Sequence, residues 1–365
     1  MDRQLFKETF SCIHASEDTI TEVLKMAKQQ ETRKKERHPV RMGILIGLAA
    51  VLLVGAAYAA AGTGFIQSVF GAKGQENTAP QEVLEAGKDT TWTMPGREWV
   101  EVDEEQAEEL VGEHIAAVGE SISVGDWTLT VDAYTFDDRG IGAVTYTLAN
   151  PNGLGDAIRD AGNGQFYIDI DNADGLGEIG LGGTLEDPEQ SIYHGFDTRN
   201  IVDKTLTTDT ELHAVMYFTP YYSFEAGEGI RMTLARAQRD ENHNIIEEEE
   251  QSLIFTPDSF IPSVALSCPE GYTAHISPLG ITFDAAFEAI DPTAYLKALS
   301  VQLADGTEYA VKSDDPYMDN CVVACASFDN GFEGVVFNRL VDADGVVSVT
   351  RNGPNNSTYI FTPVD

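Results

Sequence analysis

Cysteine is scarce in this chain: four residues in 365, at positions 12, 268, 321 and 325. So few thiols cannot build a disulfide-held scaffold, and the chain must bury ordinary apolar cores instead. Cys268 can pair with Cys321 or Cys325, or the three thiols stay free. No C-x2-C pair exists, and only His14 and His38 stand near Cys12, so the spacing of a zinc site is missing. The seven histidines are scattered, and no G-x-S-x-G elbow, P-loop or H-E-x-x-H motif occurs. The sequence therefore predicts no catalytic residue, no metal site, no cofactor and no enzymatic activity. Asp169 to Glu178 superficially matches a calcium loop, but Ala173 occupies a ligand position and the glycine falls one place late. It reads as a solvated acidic hairpin loop.

Positive charge is sparse beyond the first 41 residues, with 14 Lys/Arg against 53 Asp/Glu. Residues 1–41 carry nine Lys/Arg and seven Asp/Glu, a net of +2 within a total of −37. The remainder carries −39. A body so acidic repels phosphate backbones, which excludes nucleic acid as its partner. Its simplest reading is solubility at a cell surface.

One long apolar run is present. Met42 to Ala61 contains no charge, and none occurs between Arg41 and Lys73. Twenty helical residues at about 1.5 Å each reach roughly 30 Å, the thickness of a hydrocarbon core. Arg33, Lys34, Lys35, Arg37 and Arg41 precede the run, and only Lys73 and Lys88 follow closely. The positive-inside rule then places the N-terminus in the cytoplasm and the body outside the cell. Ala57-Tyr58-Ala59 resembles a signal-peptidase site, but the patterned leader of 41 residues argues for an anchor. The expected localisation is the cell membrane, with a single pass at 42–61.

Ahead of the run, Ile20, Val23, Leu24 and Ala27 share one helical face, with Ser16 placed to cap it. Phe6, Phe10 and Ile13 form a second short stripe. Neither segment suffices for an independent helix. Phe6, Phe10, Ile13, Ile20, Val23 and Leu24 are therefore the expected partner-binding residues, folding against a groove. The competing reading is a membrane-surface helix.

The body is β in texture. Residues 62–118 read as a stalk with an acidic helix at Glu101 to Val118. Alternating segments follow at 127–131, 143–148, 165–170, 191–196, 211–219, 229–236 and 251–256. Pro257 to Pro262 marks a boundary. Further strands are predicted at 272–276, 280–284, 298–303, 307–312, 321–327, 333–339, 346–350 and 357–362. Asp305-Gly306 suits a tight hairpin turn. The run Glu247 to Glu250 reads as an exposed tip. The expected fold is mainly β: two β-sandwich domains, at 119–257 and 258–365, outside the cell.

Three stretches carry a family likeness: Phe10-Ser11-Cys12-Ile13-His14-Ala15-Ser16-Glu17-Asp18-Thr19 with Val23-Leu24; Leu129 to Tyr134 with Val144 to Leu148; and Ile276 to Thr282 with Asp305-Gly306-Thr307. Together they resemble the single-pass anti-sigma-factor-like membrane proteins of Gram-positive bacteria, whose outer part holds an immunoglobulin-like domain. The resemblance implies a cytoplasmic tail that holds a sigma factor, and outer domains that sense or bind an unknown ligand. The chain departs from the zinc-binding members, since its head has only Cys12 and His14. The alternative is a surface binding or adhesion module in which the tail is only an anchor.

Overall fold

The computed structural model describes residues 65–71, 81–84, 91–94, 103–154, 158–160, 166–168, 178–187, 192–194, 196–203, 206–220, 227–239, 245–284, 297–313, 319–326, 332–353 and 357–364. Among them no helix is long and apolar enough to cross a membrane. The expected span at 42–61 lies outside the described residues, as does the calcium-like loop at 169–177.

The first half contains β1 (Gln81–Leu84), β2 (Thr91–Met94), helix α1 (Glu104–Val111), β3 (Ala116–Val124), β4 (Trp127–Phe136), β5 (Gly142–Ala149), β6 (Ile158–Asp160), β7 (Phe166–Ile168), β8 (Glu178–Asp187), β9 (Ile192–His194), β10 (Phe196–Val202), β11 (Glu211–Pro220), β12 (Gly229–Arg239) and β13 (Ile245–Phe255). Two antiparallel sheets dominate, ordered β10-β11-β5-β4-β3 and β13-β12-β8-β9. Alternate residues enclose a core between them: Leu129, Val131, Tyr134 and Phe136 from β4, Leu212 to Phe218 from β11, and Ile230, Met232 and Leu234 from β12. Each such side chain contributes about 1.5–3 kcal/mol when fully buried, so a one-residue slip in register is strongly disfavoured.

The opposite, outer face of the first sheet is buried as well. Ala133, Ala143, Ile201, Val215 and Tyr217 lie there in a separate apolar cluster. A strap at residues 65–71, ending in a turn of π-helix at Gln67–Gly71, lies on this face, and Ala107 and Val111 of α1 join it. These are the described non-β pieces of the stretch read as a stalk. Helix α1 is capped by Asp103, whose carboxylate accepts from the Gln106 N–H at 3.0 Å. It is shorter than the sequence suggested. Gly112 ends it, a tight turn covers Gly112–His114, and β3 begins at Ala116.

The second half contains β14 (Val264–Ser267), β15 (Thr273–Ile276), β16 (Gly280–Phe283), β17 (Leu299–Leu303), β18 (Glu308–Lys312), β19 (Cys321–Ala326), β20 (Glu333–Phe337), β21 (Val346–Asn352) and β22 (Thr358–Pro363). They form one sheet, ordered β18-β17-β21-β22-β14-β15-β16-β20-β19. Only Leu266↔Pro363 and Ser267↔Thr362 join its two parts. Residues from both parts, including Val301, Tyr309, Phe283 and Val335, share one core, so the sheet folds over on itself. Cys268 and Cys321 are buried in this core and are not joined by a disulfide.

The structure changes several sequence assignments, the unpredicted strands β10 and β14 among them. Glu247 to Glu250 is no tip: it lies in β13, in register with Gln238 to Ala235 of β12. At that sheet edge, charged residues discourage pairing with other chains. Strand β8 was not anticipated. Its Gly180, Gly182 and Gly183 disfavour a strand by composition, yet they pair with Ala235, Thr233 and Met232 of β12.

Candidate functional site

The six residues expected to bind a partner, Phe6, Phe10, Ile13, Ile20, Val23 and Leu24, lie outside the described residues. Among the described residues no group of three His, Cys, Asp or Glu is placed to hold a metal. The concentration of buried polar chemistry lies instead on the outer face of the first sheet, where the strap sits.

The strap begins four residues after Ala61. Phe65, Ile66 and Val69 are fully buried and Phe70 nearly so. Helical spacing puts these four on one side. Three polar bonds fix the turn. Ser68 Oγ donates to Asp203 Oδ2 at 2.9 Å, Gln67 Nε2 donates to Glu104 Oε1 at 2.7 Å, and Tyr217 OH donates to the Val69 carbonyl. The strap is thus tied to β11, to the end of β10 and to α1.

A polar row crosses the same face. Ser121 Oγ and Thr130 Oγ1 bond at 2.8 Å between β3 and β4. Thr130 is in register with Thr147 of β5, and Thr147 with His213 of β11. Thr147 Oγ1 lies 3.1 Å from Asp132 Oδ2 and 3.1 Å from His213 Nδ1. His213 Nε2 is 3.8 Å from Glu211 Oε2. Asp203, which holds Ser68, closes the row: its N–H donates to the His213 carbonyl at 2.8 Å. Asp132 reaches this row only because β4 bulges between Val131 and Ala133. The extra residue turns a carboxylate onto a buried face.

Glu211, His213 and Thr147 stand in the order acid, base, hydroxyl. Thr147 is only 2% exposed and already donates to Asp132, so its oxygen has no access for a substrate. The arrangement is suited to holding and moving a proton. Burial pushes the Asp132 carboxyl up to about 7, against the Thr147 bond that favours the charged form. Its Oδ1 has no hydrogen-bond partner. Burial holds the His213 imidazole below its ordinary value, with the charges of Glu211 and Asp203 opposing. With Asp132 ionised, Thr147 donates to it and His213 Nδ1–H donates to Thr147. Once Asp132 is protonated, that direction is no longer imposed.

This row has a pH signature. Between about pH 4 and 7 the folded chain keeps the Asp132 proton that the unfolded chain has lost. Stability contributed by this group is therefore full below pH 4 and falls as pH rises through 7. His213 works oppositely, costing stability as pH falls below its ordinary value. Replacing Asp132 by Asn removes the carboxylate's burial cost. D132N is expected to stabilise the protein at pH 8 by up to about 4 kcal/mol, a gain that vanishes near pH 4. Denaturant melts at both values check this; equal stabilities at pH 8 contradict it.

A second polar group joins the two halves. Asp137, at the tip of the β4–β5 hairpin, accepts from Ile141 N at 2.8 Å, Arg139 N at 3.0 Å and Ser277 Oγ at 2.6 Å. Ser277 belongs to the β15–β16 turn, so one buried carboxyl spans both halves. Burial pushes this carboxyl up to about 7 against those three bonds. Nearby, Arg139 pairs with Asp284, which also accepts from Thr273 Oγ1 at 2.9 Å and lies 3.1 Å from His275 Nε2. Burial of the Asp284 carboxyl is outweighed by the His275 bond and the Arg139 charge, which hold it below the usual carboxylate range. Asp137 forms a parallel bridge with Ile261, inside the boundary expected at 257–262.

Sequence reasoning missed the strap, Asp132, Asp137, Asp203 and His213. Signals for two of them exist. Phe65, Ile66, Val69 and Phe70 fall on a helical face but adjoin a longer apolar run. In β4, Val131 and Tyr134 both point inward though three apart, the mark of a bulge. Comparison of the chain with family models, with curated proteins and with solved structures returns no match.

Proposed function

We propose that this protein is a membrane-anchored regulator of the anti-sigma-factor type. Residues 42–61 cross the membrane. The cytoplasmic tail binds a sigma factor through Phe6, Phe10, Ile13, Ile20, Val23 and Leu24. Two immunoglobulin-like β-sandwich domains outside the cell sense or bind a ligand. The observation that best supports this reading is the strap: the first described residues after the apolar run are buried against the body. A body attached by a free tether has no means of passing a change to its anchor. A body that grips the chain four residues beyond the anchor has one. The antiparallel two-layer order of the first half supports the sandwich reading.

The test is co-purification of the full chain, solubilised from membranes, with its cytoplasmic partner. A sigma factor captured by the native chain and lost from the Phe10→Asp, Leu24→Asp variant is the expected outcome. Equal recoveries from both chains contradict the regulator reading and favour a surface-binding module whose tail is only an anchor.

A further inference from the structure

We infer that residues 65–70 are a wedge that keeps the joint between the two β-halves closed, so that undocking of this segment and opening of the joint are one event. The inference concerns the outer body alone and holds whatever the tail binds. Three observations carry it. First, a single apolar cluster contains Phe65, Ile66, Val69 and Phe70, the outer face of the first sheet, and Leu279, Val322 and Val336 of the second half. The strap and both halves thus belong to one continuous apolar cluster. Second, β11 is a shared floor: it packs against the strap turn and against β19 and β20. Tyr217 in β11 donates its hydroxyl to the strap's Val69 carbonyl. Third, direct polar bonds cross the joint. Arg199 Nη1 donates to the Val322 carbonyl at 2.9 Å, Ser277 bonds Asp137, and Arg139 pairs with Asp284.

The physical consequence is reciprocal, as any coupling between two sites must be. Removing the wedge leaves apolar faces of both halves open to water, which weakens the joint. Parting the joint opens the apolar cluster that the strap shares, which weakens its docking.

Hydrogen exchange read by mass spectrometry on the full chain in detergent micelles tests this. Arg199→Ala and Ser277→Ala each remove a joint bond, to the Val322 carbonyl and to Asp137, that involves no strap residue. Each is expected to speed exchange across 65–70 by about tenfold, the effect of losing roughly one buried hydrogen bond of coupling. The β12–β13 pair should be unchanged. In the reverse direction, Val69→Asp should speed exchange in β19 and β20. Tyr309→Phe, which loses its bond to the Asn320 carbonyl deep in the second core, should leave the strap unaffected. Global unfolding of one variant would show as faster exchange in β12–β13, and the other variant then decides. Faster exchange in β19–β20 with an unchanged strap in either joint variant overturns the inference.

Discussion

Gly280→Ala is expected to destabilise the protein by about 3 kcal/mol, the upper end of what an inserted methyl costs in a close-packed interior. A Cβ at this position would stand 2.3 Å from the Val335 carbonyl oxygen and 2.8 Å from Ile141 Cδ1. The first neighbour is backbone of β20, paired with β16 through Gly280↔Val336. It cannot swing aside as a side chain would. The second belongs to the hairpin whose Asp137 bonds Ser277. The methyl therefore pushes apart both a ladder and the joint between the halves. The gentler comparison is Gly112→Ala, whose Cβ would meet the carboxyl end of the exposed, flexible Glu108 side chain. Thermal melts of both variants check this. A Gly280→Ala protein as stable as the native chain contradicts the placement of β16 against the hairpin.

Phe65→Asp is expected to abolish strap docking. Truncating a buried Phe costs about 3–5 kcal/mol, and an unpaired carboxylate in an apolar cluster adds several more. The loss has a ceiling, however. The strap can leave its seat once the cost exceeds its docking free energy, so the cores of both halves should survive. The expected result is a lowered melting temperature with intact β signal, and loss of protection confined to 65–70 and the joint. Phe65→Leu, which keeps most of the apolar volume, should cost about 1 kcal/mol. Equal behaviour of the two variants would mean that Phe65 contributes no buried contact.

What was legible in the sequence follows from which forces act locally. Strands β12, β17 and β18 were readable because alternation reports one buried face, and β11 and β20 because short apolar runs mark strands buried on both faces. So was the hairpin at Asp305-Gly306, where Gly306 adopts a positive φ of 90° and Thr307 N donates to Asp305 Oδ1 at 2.7 Å. Strand β8 was not readable, because its glycines are held by neighbours on both sides and not by their own preference. Helix α1 was placed but drawn too long, since Leu110, His114 and Ala117 suggested a face while Gly112 and the pairing of β3 set the end. The outer-face site was hidden for a different reason. Its residues come from β4, β5, β11 and a strap far away in sequence, and only the fold brings Ser68 to Asp203 across 135 positions. No local pattern encodes such a meeting.

The measurement that tests the account most directly is thiol labelling of Val69→Cys in intact cells, with Cys12 and Cys325 replaced by serine. Cys268 and Cys321 are buried and serve as silent background. Leu206→Cys, at a residue 37% exposed, is the accessible reference. With a membrane-impermeant maleimide, the account expects rapid labelling at 206 and labelling at 69 only after denaturation. Labelling at 69 as fast as at 206 would contradict a seated strap, and failure to label 206 on intact cells would contradict a body that stands outside the membrane.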